Sequence, residues 1–342
     1  MKKILLLGNI PNPNNTKTIG GANTYTFEIL RGLSKTSSIT VDFYQIRHRW
    51  NKFGQIIDYL LLFFKLPFKI YKYDYISIHA TWDFHITIGP IAVLISKLFK
   101  KKIVYHFFGG RFHKIYNSYP KVFRWWLNKT IFKSDKILVE TLEMKYFFEN
   151  QGLKNMVWFP NSRKSSKNKI QAKNYQKRFV FVSRVTPTKG VDYLKEASSL
   201  LSKDYTLEIY GPLNDSYYNS ESLKEYGYKG NLKPSKVLDT LLNFDVLILP
   251  TFHPGEGYPG IFIEAMSIGM PVICTNWNSL PEIIKHNKNG IVIPIKSSKA
   301  IVEAIEYFNE ENYNDFSKTA LRMFKKFNLE TRISELEQFY NG

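Results

Sequence analysis

The sequence predicts an α/β protein made of two parallel-sheet halves, and three observations carry that expectation. The chain has 342 residues, a length that suits two domains, each able to own a core. Short apolar runs alternate with stretches of helical periodicity through the first half. After a polar, basic segment at 161–177 (NSRKSSKNKIQAKNYQK), the same alternation starts again. Strands and helices joined in turn by short links imply parallel sheets covered on both faces, which gather ligands at the carboxyl ends of their strands.

The elements follow in order. Lys3–Gly8 reads as a first strand, and Thr24–Ser34 as a helix with Tyr25, Ile29, Leu30 and Leu33 on one face. Thr40–Gln45 is a strand, Ile56–Lys69 a helix, Tyr75–His79 a strand, Ile91–Phe99 a helix and Lys102–Phe107 a strand. A Trp- and Phe-rich helix near Lys121–Phe132 leads to the strand Lys136–Val139. Beyond the linker come the strand Phe179–Ser183, the helix Val191–Leu201, the strand Thr206–Tyr210, the helix Pro234–Leu242 and the strand Val246–Pro250. Residues 253–271, HPGEGYPGIFIEAMSIGMP, then read as loop and helix, with Pro259 in the first turn and Gly269 as the stop. Pro271-Val272-Ile273-Cys274 leads into a further strand.

Composition narrows the function classes. A formal net charge of +19 implies an anionic partner: nucleic acid, anionic lipid, or a phosphorylated small molecule with a lipid-linked acceptor. The basic residues are spread through both halves and the linker and form no nucleic-acid motif, which argues against a nucleic-acid partner. The single cysteine, Cys274, rules out an intramolecular disulfide framework and indicates a reducing, cytoplasmic setting; on an apolar strand it reads as a core residue. The start MKKILLLGNIPNP lacks the apolar length and cleavage site of a signal peptide. The stretch closest to a membrane span, Ile56–Tyr73, is broken by Asp58, Lys65, Pro67 and Lys69. Two readings of it stand: a helix lying on an anionic membrane surface, or one packed on the first sheet.

Four segments carry candidate chemistry. In the loop and helix of 253–271, Glu256 and Glu264 flank a helix start whose free N–H groups and dipole favour a phosphate, with the carboxylates roughly 8–12 Å apart. That spacing suits the hydroxyls of two sugars on either side of a diphosphate; an amphipathic helix with two solvated acids is the other reading. In Ser183-Arg184-Val185-Thr186-Pro187-Thr188-Lys189-Gly190, Arg184 and Lys189 leave one loop before a helix and can converge on a diphosphate. Near the first strand, Gly8-Asn9-Ile10-Pro11 and then Gly20-Gly21 allow backbone to approach a ligand, or form a flexible turn; no G-x-G-x-x-G occurs there. His106 ends a strand beside Gly109 and Gly110, which leave room for substrate; His79 and His85 also lie near a strand end. No D-x-D pair, H-E-x-x-H or Cys/His cluster occurs, so no metal site and no metal requirement is expected.

Taken together, these residues resemble the retaining glycosyltransferases of the GT-B fold in family four, the glycosyl transferases group 1. Glu256 and Glu264, separated by seven residues, match that family's signature. Pro250, Glu264-Ala265-Met266, the Gly269–Ile273 turn, Pro281-Glu282-Ile283-Ile284 and Asn289-Gly290 also look like it. The resemblance implies two facing Rossmann-like domains: an acceptor-binding one over 1–165, a donor-binding one over 175–325, and a C-terminal helix within 326–342 returning to the first. It implies Arg184 and Lys189 on the donor diphosphate, Glu264 on the ribose, Glu256 on the transferred sugar, and backbone near Leu232 on the base. Gly257, Tyr258, Gly260 and Ile261 would supply N–H contacts, Gly20 and Gly21 would approach the phosphates, and His106 would sit by the reacting sugar. The implied activity is that of a hexosyltransferase without cofactor or metal, moving a sugar from a nucleotide diphosphate sugar to a glycan or lipid-linked acceptor in bacterial polysaccharide synthesis. The charge and the basic, aromatic first domain with Ile56–Tyr73 point to a cytoplasmic enzyme peripheral on the inner face of an anionic plasma membrane. A nucleotide-sugar epimerase or phosphorylase of similar fold, and a polyanion-binding protein, are the competing readings. Three departures bear on the donor contacts: Pro259 replaces a glycine, Tyr210-Gly211-Pro212 lacks a first glycine, and Trp277-Asn278-Ser279-Leu280 replaces a glycine-rich approach.

Overall fold

The computed structural model describes residues 1–12, 14, 15, 18, 20–166, 174–214 and 216–342. The chain divides into two units, Met1–Asn161 with Leu329–Gly342, and Ser162–Asn328. Of the polar stretch 161–177, residues 167–173 lie outside the described residues.

In the first unit, β1 (Lys2–Gly8), β2 (Ile39–Gln45), β3 (Tyr75–Ala80), β4 (Lys102–Phe107), β5 (Lys136–Val139) and β6 (Met156–Trp158) form one parallel sheet in the order β2-β1-β3-β4-β5-β6. The helices are α1 (Gly21–Leu33), α2 (Lys52–Ile70), α3 (Trp82–His85), α4 (Ile88–Leu98), α5 (Phe112–Tyr116), α6 (Lys121–Lys129) and α7 (Leu142–Asn150). β1 shows why its run is apolar without a break. Ile4 and Leu6 face Tyr25 and Ile29 of α1, while Leu5 and Leu7 face Leu62, Leu66 and Ile70 of α2 on the other side. The C-terminal helix, Leu329–Asn341, shares the α1 face through Leu336 and Tyr340. Gly32 of α1 lets it approach, since a Cβ there would lie 1.9 Å from Ile333 Cδ1. Tyr340 donates its hydroxyl to Ser77 Oγ at 2.8 Å.

α2 begins four residues earlier than its periodicity indicates, because Asn51 Oδ1 caps it by accepting the Gly54 N–H at 2.6 Å. Asp58, which interrupts the apolar run, is buried and accepts from the His48 and Arg49 N–H groups, each at 2.7 Å, and from Arg49 Nη1 at 2.6 Å.

In the second unit, β7 (Arg178–Val182), β8 (Thr206–Tyr210), β9 (Tyr228–Gly230), β10 (Val246–Leu249), β11 (Val272–Thr275) and β12 (Gly290–Ile293) form a parallel sheet in the order β12-β11-β10-β7-β8-β9. The helices are α8 (Val191–Leu200), α9 (Ser220–Lys224), α10 (Val237–Leu241), α11 (Gly260–Ser267), α12 (Leu280–Ile283), α13 (Ser298–Tyr307) and α14 (Glu310–Phe324). In such a sheet the strand order reverses between β7 and β10, and in the first unit between β1 and β3. The loops leaving those strands diverge there and open a crevice for ligand.

Some boundaries differ from the sequence expectation. Pro259 stands at the N-cap with ψ 126°, one position before the helix, because Gly260 is the first helical residue. The helix expected to reach Phe132 ends at Lys129, where Thr130 leaves helical geometry and a 3-10 turn, Ile131–Lys133, follows. The helix expected from Pro234 opens as a 3-10 turn, Pro234–Lys236, before α10.

Candidate active site

Two loops that carry candidate residues leave the sheet where β7 and β10 part. After β7, the Ser183 N–H donates to Tyr210 O at 3.1 Å and the Val185 N–H to Pro212 O at 3.0 Å, which fixes the loop onto the end of β8. This close approach explains Gly211, whose φ is 145° and whose Cβ would stand 1.7 Å from Ser183 O. Arg184 projects from the loop and is exposed, with no ion pair among the described residues. The 3-10 turn Pro187–Lys189 ends on Gly190, at φ 82°, with room for a Cβ denied by Pro250 O at 2.3 Å. The loops after β7 and β10 are thus held backbone to backbone.

That contact places Lys189 against Glu256. The ammonium is bonded to Glu256 Oε2, which also accepts from Thr251 Oγ1 at 2.8 Å. Both side chains are largely buried, at 7% and 11% exposure, so their charges offset one another in a medium that screens little. Around them, Phe252 N–H donates to Thr188 O at 2.9 Å, Thr188 Oγ1 meets His253 Nδ1 at 3.1 Å, and Trp277 Nε1 donates to His253 O at 2.8 Å. Asn278 Nδ2 reaches Glu256 O at 3.3 Å. Trp277 and Asn278, where glycine was the family pattern, therefore brace the Glu256 loop from outside.

Gly257 and Tyr258 continue this loop to the start of α11. The Tyr258 ring is buried and its hydroxyl donates to Glu282 Oε2. Gly260 and Ile261 open the helix, where N–H groups have no carbonyl one turn earlier to reach. Glu264 lies one turn further on, and its Oε1 accepts from Arg163 Nε at 2.7 Å. Leu232 is half-buried in the loop after β9.

Arg163 was not a sequence candidate. It lies in the stretch read as linker, yet its N–H donates to Phe327 O at 3.0 Å and its Nη1 to Ser162 O at 3.0 Å. The guanidinium crosses the start of α11 so closely that a Cβ on Gly260 would fall 1.9 Å from Nη2. The available signal was Gly260 itself, a glycine at a helix start with negative φ and thus a place where another group comes near.

In the first unit, Gly20 is extended and Gly21 begins α1; a Cβ at either would meet nothing within 4 Å, so neither glycine is required by packing inside that unit. His106 differs from expectation. Its place at the end of β4 is the expected one, but its ring lies on the α1 face, where it is 1% exposed. It packs 4.3 Å from Phe108, 5.0 Å from His79, 5.3 Å from Phe159 and 5.8 Å from Tyr25, centroid to centroid. Its Nδ1 has no hydrogen-bond partner among the described residues. Burial, then the neighbouring His79 and His85, holds its pKa well below the ordinary range; burial lowers that of His79 to about 3. A separate cavity of about 350 Å³, lined by Asn12, Gln45, Arg47, His48 and Trp50 among others, lies by the carboxyl ends of β1 and β2. Cys274 is buried on β11, where burial pushes its thiol pKa up.

Residues 162–323 match the family described as Glycosyl transferases group 1. Among curated proteins, the chain is 30% identical over 139 residues to a putative teichuronic acid biosynthesis glycosyltransferase of Bacillus subtilis, covering 40% of this chain and 34% of that one. It is 28% identical over 140 residues to the amylovoran biosynthesis glycosyltransferase of Erwinia amylovora, covering 36% and 34%. The chain thus spans about a third of the length of either relative. Among solved structures, the HepE protein of Anabaena in complex with UDP and glucose superposes with a TM-score of 0.70 at 16% identity, over 100% of both chains. The sucrose-phosphate synthase of Thermosynechococcus elongatus superposes with a TM-score of 0.76 at 15% identity, over 100% of this chain and 98% of that one. The two six-stranded parallel sheets are those of the GT-B fold.

Proposed function

We infer that this chain, whose second unit belongs to the glycosyl transferases group 1, is a retaining hexosyltransferase of family four. It takes a sugar from a nucleotide diphosphate sugar and passes it to an acceptor hydroxyl in the synthesis of a bacterial surface polysaccharide. The observation that supports the reading is the buried Lys189–Glu256 pair on the loops leaving β7 and β10, with Arg184 exposed on the same loop as Lys189 and Glu264 on the helix that follows the Glu256 loop. The similar proteins of Bacillus subtilis and Erwinia amylovora, named for teichuronic acid and amylovoran biosynthesis, and the HepE complex with UDP and glucose support the substrate classes.

The residues divide the work by charge. Arg184 and the first N–H groups of α11, on Gly260 and Ile261, meet the diphosphate, while Lys189 holds the Glu256 carboxylate in place. Glu264, held in place by Arg163, accepts from the ribose hydroxyls, and Glu256 from those of the transferred sugar. Leu232 lies by the base, and the N–H groups of Gly257 and Tyr258 face the sugar. Gly20 and Gly21, in the first unit, leave their backbone open to the approach of a phosphate. His106 is left out, because its buried ring has no path to a substrate within its own unit.

In the transfer, the bond from the anomeric carbon to the diphosphate oxygen breaks and its electron pair leaves with the nucleotide diphosphate. The acceptor oxygen bonds to the same face of that carbon, and its proton passes to the departing phosphate oxygen. Stabilising the developing charge on the leaving group is the protein's main contribution, and Arg184 and the helix dipole named above supply it without a metal.

A panel of UDP-, GDP-, ADP- and dTDP-sugars, with and without magnesium, tests the reading. One donor should raise the melting temperature and be slowly hydrolysed without metal, and both effects should vanish in Arg184→Ala. Interconversion of the sugar on an intact nucleotide would indicate an epimerase instead, and no response to any donor would end the transferase reading.

A further inference from the structure

We propose that the outward face of α2 docks on an anionic lipid bilayer. The helix is apolar on two opposite sides. Gly54, Asp58, Leu62, Leu66 and Ile70 form the stripe turned to the sheet. Ile56, Leu60, Phe64 and Phe68 each stand two residues beyond a member of that stripe, about 200° round the helix. Phe53 and Tyr71 extend this second stripe at its ends, and all six side chains are between 54% and 79% exposed. The sheet side is already filled, so packing on the core leaves these residues unexplained. An apolar strip of about 27 Å kept in water marks an interaction surface.

Charge identifies the occupant. Lys52, Lys65 and Lys69 lie on the helix and Lys72 just beyond it, whereas its one acid, Asp58, is buried and paired with Arg49. α4 packs beside α2 and ends in the same manner, with Leu98 80% exposed next to Lys97, Lys100 and Lys101. A second copy of the chain would bring the same lysines against these, with too few acids to meet them, Asp42 lying 3.9 Å from Lys72. A surface of anionic headgroups over hydrocarbon satisfies both the lysines and the aromatic stripe. No helix among the described residues is long and apolar enough to cross a membrane, so α2 lies in the plane of the interface. Among its described residues the second unit has no comparable face: its exposed large hydrophobics there are Leu200, Tyr217 and Tyr307, scattered apart.

The proposal stands on this surface alone and does not depend on the transferase reading, which the donor panel tests separately. Flotation of the full chain with phosphatidylglycerol/phosphatidylethanolamine vesicles, and with phosphatidylcholine vesicles, is the measurement. The chain should float with the anionic vesicles only, less so as salt rises, and Lys65→Glu should weaken it. Phe64→Ser/Phe68→Ser should lower the bound fraction at least about tenfold while the melting temperature stays unchanged. Should the double variant melt early, Phe68→Ser alone, at the most exposed site, serves in its place. Equal flotation of wild type and variants, equal flotation with phosphatidylcholine, or none at all would overturn the proposal. If vesicles fail and sedimentation instead shows a dimer that the double variant dissolves, the face belongs to a second copy and the lipid assignment is wrong.

Discussion

Replacing Lys189 by Met separates what the Lys189–Glu256 pair does for the fold from what it does for a ligand. Both side chains are nearly buried, and the carboxylate keeps only the Thr251 hydroxyl, at 2.8 Å, once the ammonium is gone. Removing one partner of a buried ion pair costs about 3–5 kcal/mol, because the other charge is left uncompensated. Glu256→Gln strands Lys189 in the same way. The double variant Lys189→Met/Glu256→Gln leaves no buried charge, so it should lie within about 2 kcal/mol of wild type. Calorimetry should therefore show the second unit's transition falling by roughly 6–20 °C in either single variant and largely recovering in the double variant. Transfer should be absent from all three. Single-variant effects that simply add in the double variant, within about 0.5 kcal/mol, would refute the argument that the two charges compensate each other.

Two further outcomes follow from the geometry. Acid should destabilise the first unit before its carboxylates titrate. Burial lowers the pKa of His79 and His85 to about 3 from 6.5, so between those values the unfolded chain binds protons that the folded chain does not. Stability is then full above pH 6.5 and falls on acidification, by on the order of 2 kcal/mol per histidine between pH 7 and pH 5; a melting temperature flat across that range would contradict it. Arg163→Ala should change stability by only about 1 kcal/mol, since the Arg163–Glu264 pair is part-exposed, yet weaken sugar-nucleotide binding about tenfold by freeing Glu264. Unchanged affinity by titration calorimetry would remove Arg163 from the site.

The parts of this fold legible in the sequence are those set by local pattern. Ile4 to Leu7 are apolar without a break because both faces of a central parallel strand are covered, and the carboxyl-end rule then directs attention to the loops at Ser183–Gly190 and Pro250–Pro259. β6 and β9 escaped because three residues are too few for a period to show. His106 shows a limit of a different kind. Its place at the end of β4 is legible, and a Cβ on Gly109 would meet nothing within 4 Å, but the burial of its ring against His79, Phe159 and Tyr25 depends on residues distant in sequence. Arg163 could not be found from spacing at all, because its partner Glu264 lies 101 residues away.

Charge shows most clearly what pattern alone misses. From the sequence, Arg184 and Lys189 are two like cations in one loop, and the net charge of +19 suggests that the site shares in a general excess. In the fold, Lys189 is matched by Glu256 and Arg163 by Glu264, so each cation lies against an acid and Arg184 alone stands exposed and unmatched among the described site residues. A site so balanced selects by the placement of donors and acceptors, because a bare cluster of cations would hold any phosphate. The surplus has to lie elsewhere, and α2 and the end of α4 carry a large visible part of it, on the surface where the exposed aromatic residues also run. The same composition thus serves two physically distinct ends: compensated pairs that orient polar groups where strands diverge, and a basic, apolar face on which the lysines outnumber the acids beside them, Asp58 being paired with Arg49 and Asp42 lying 3.9 Å from Lys72.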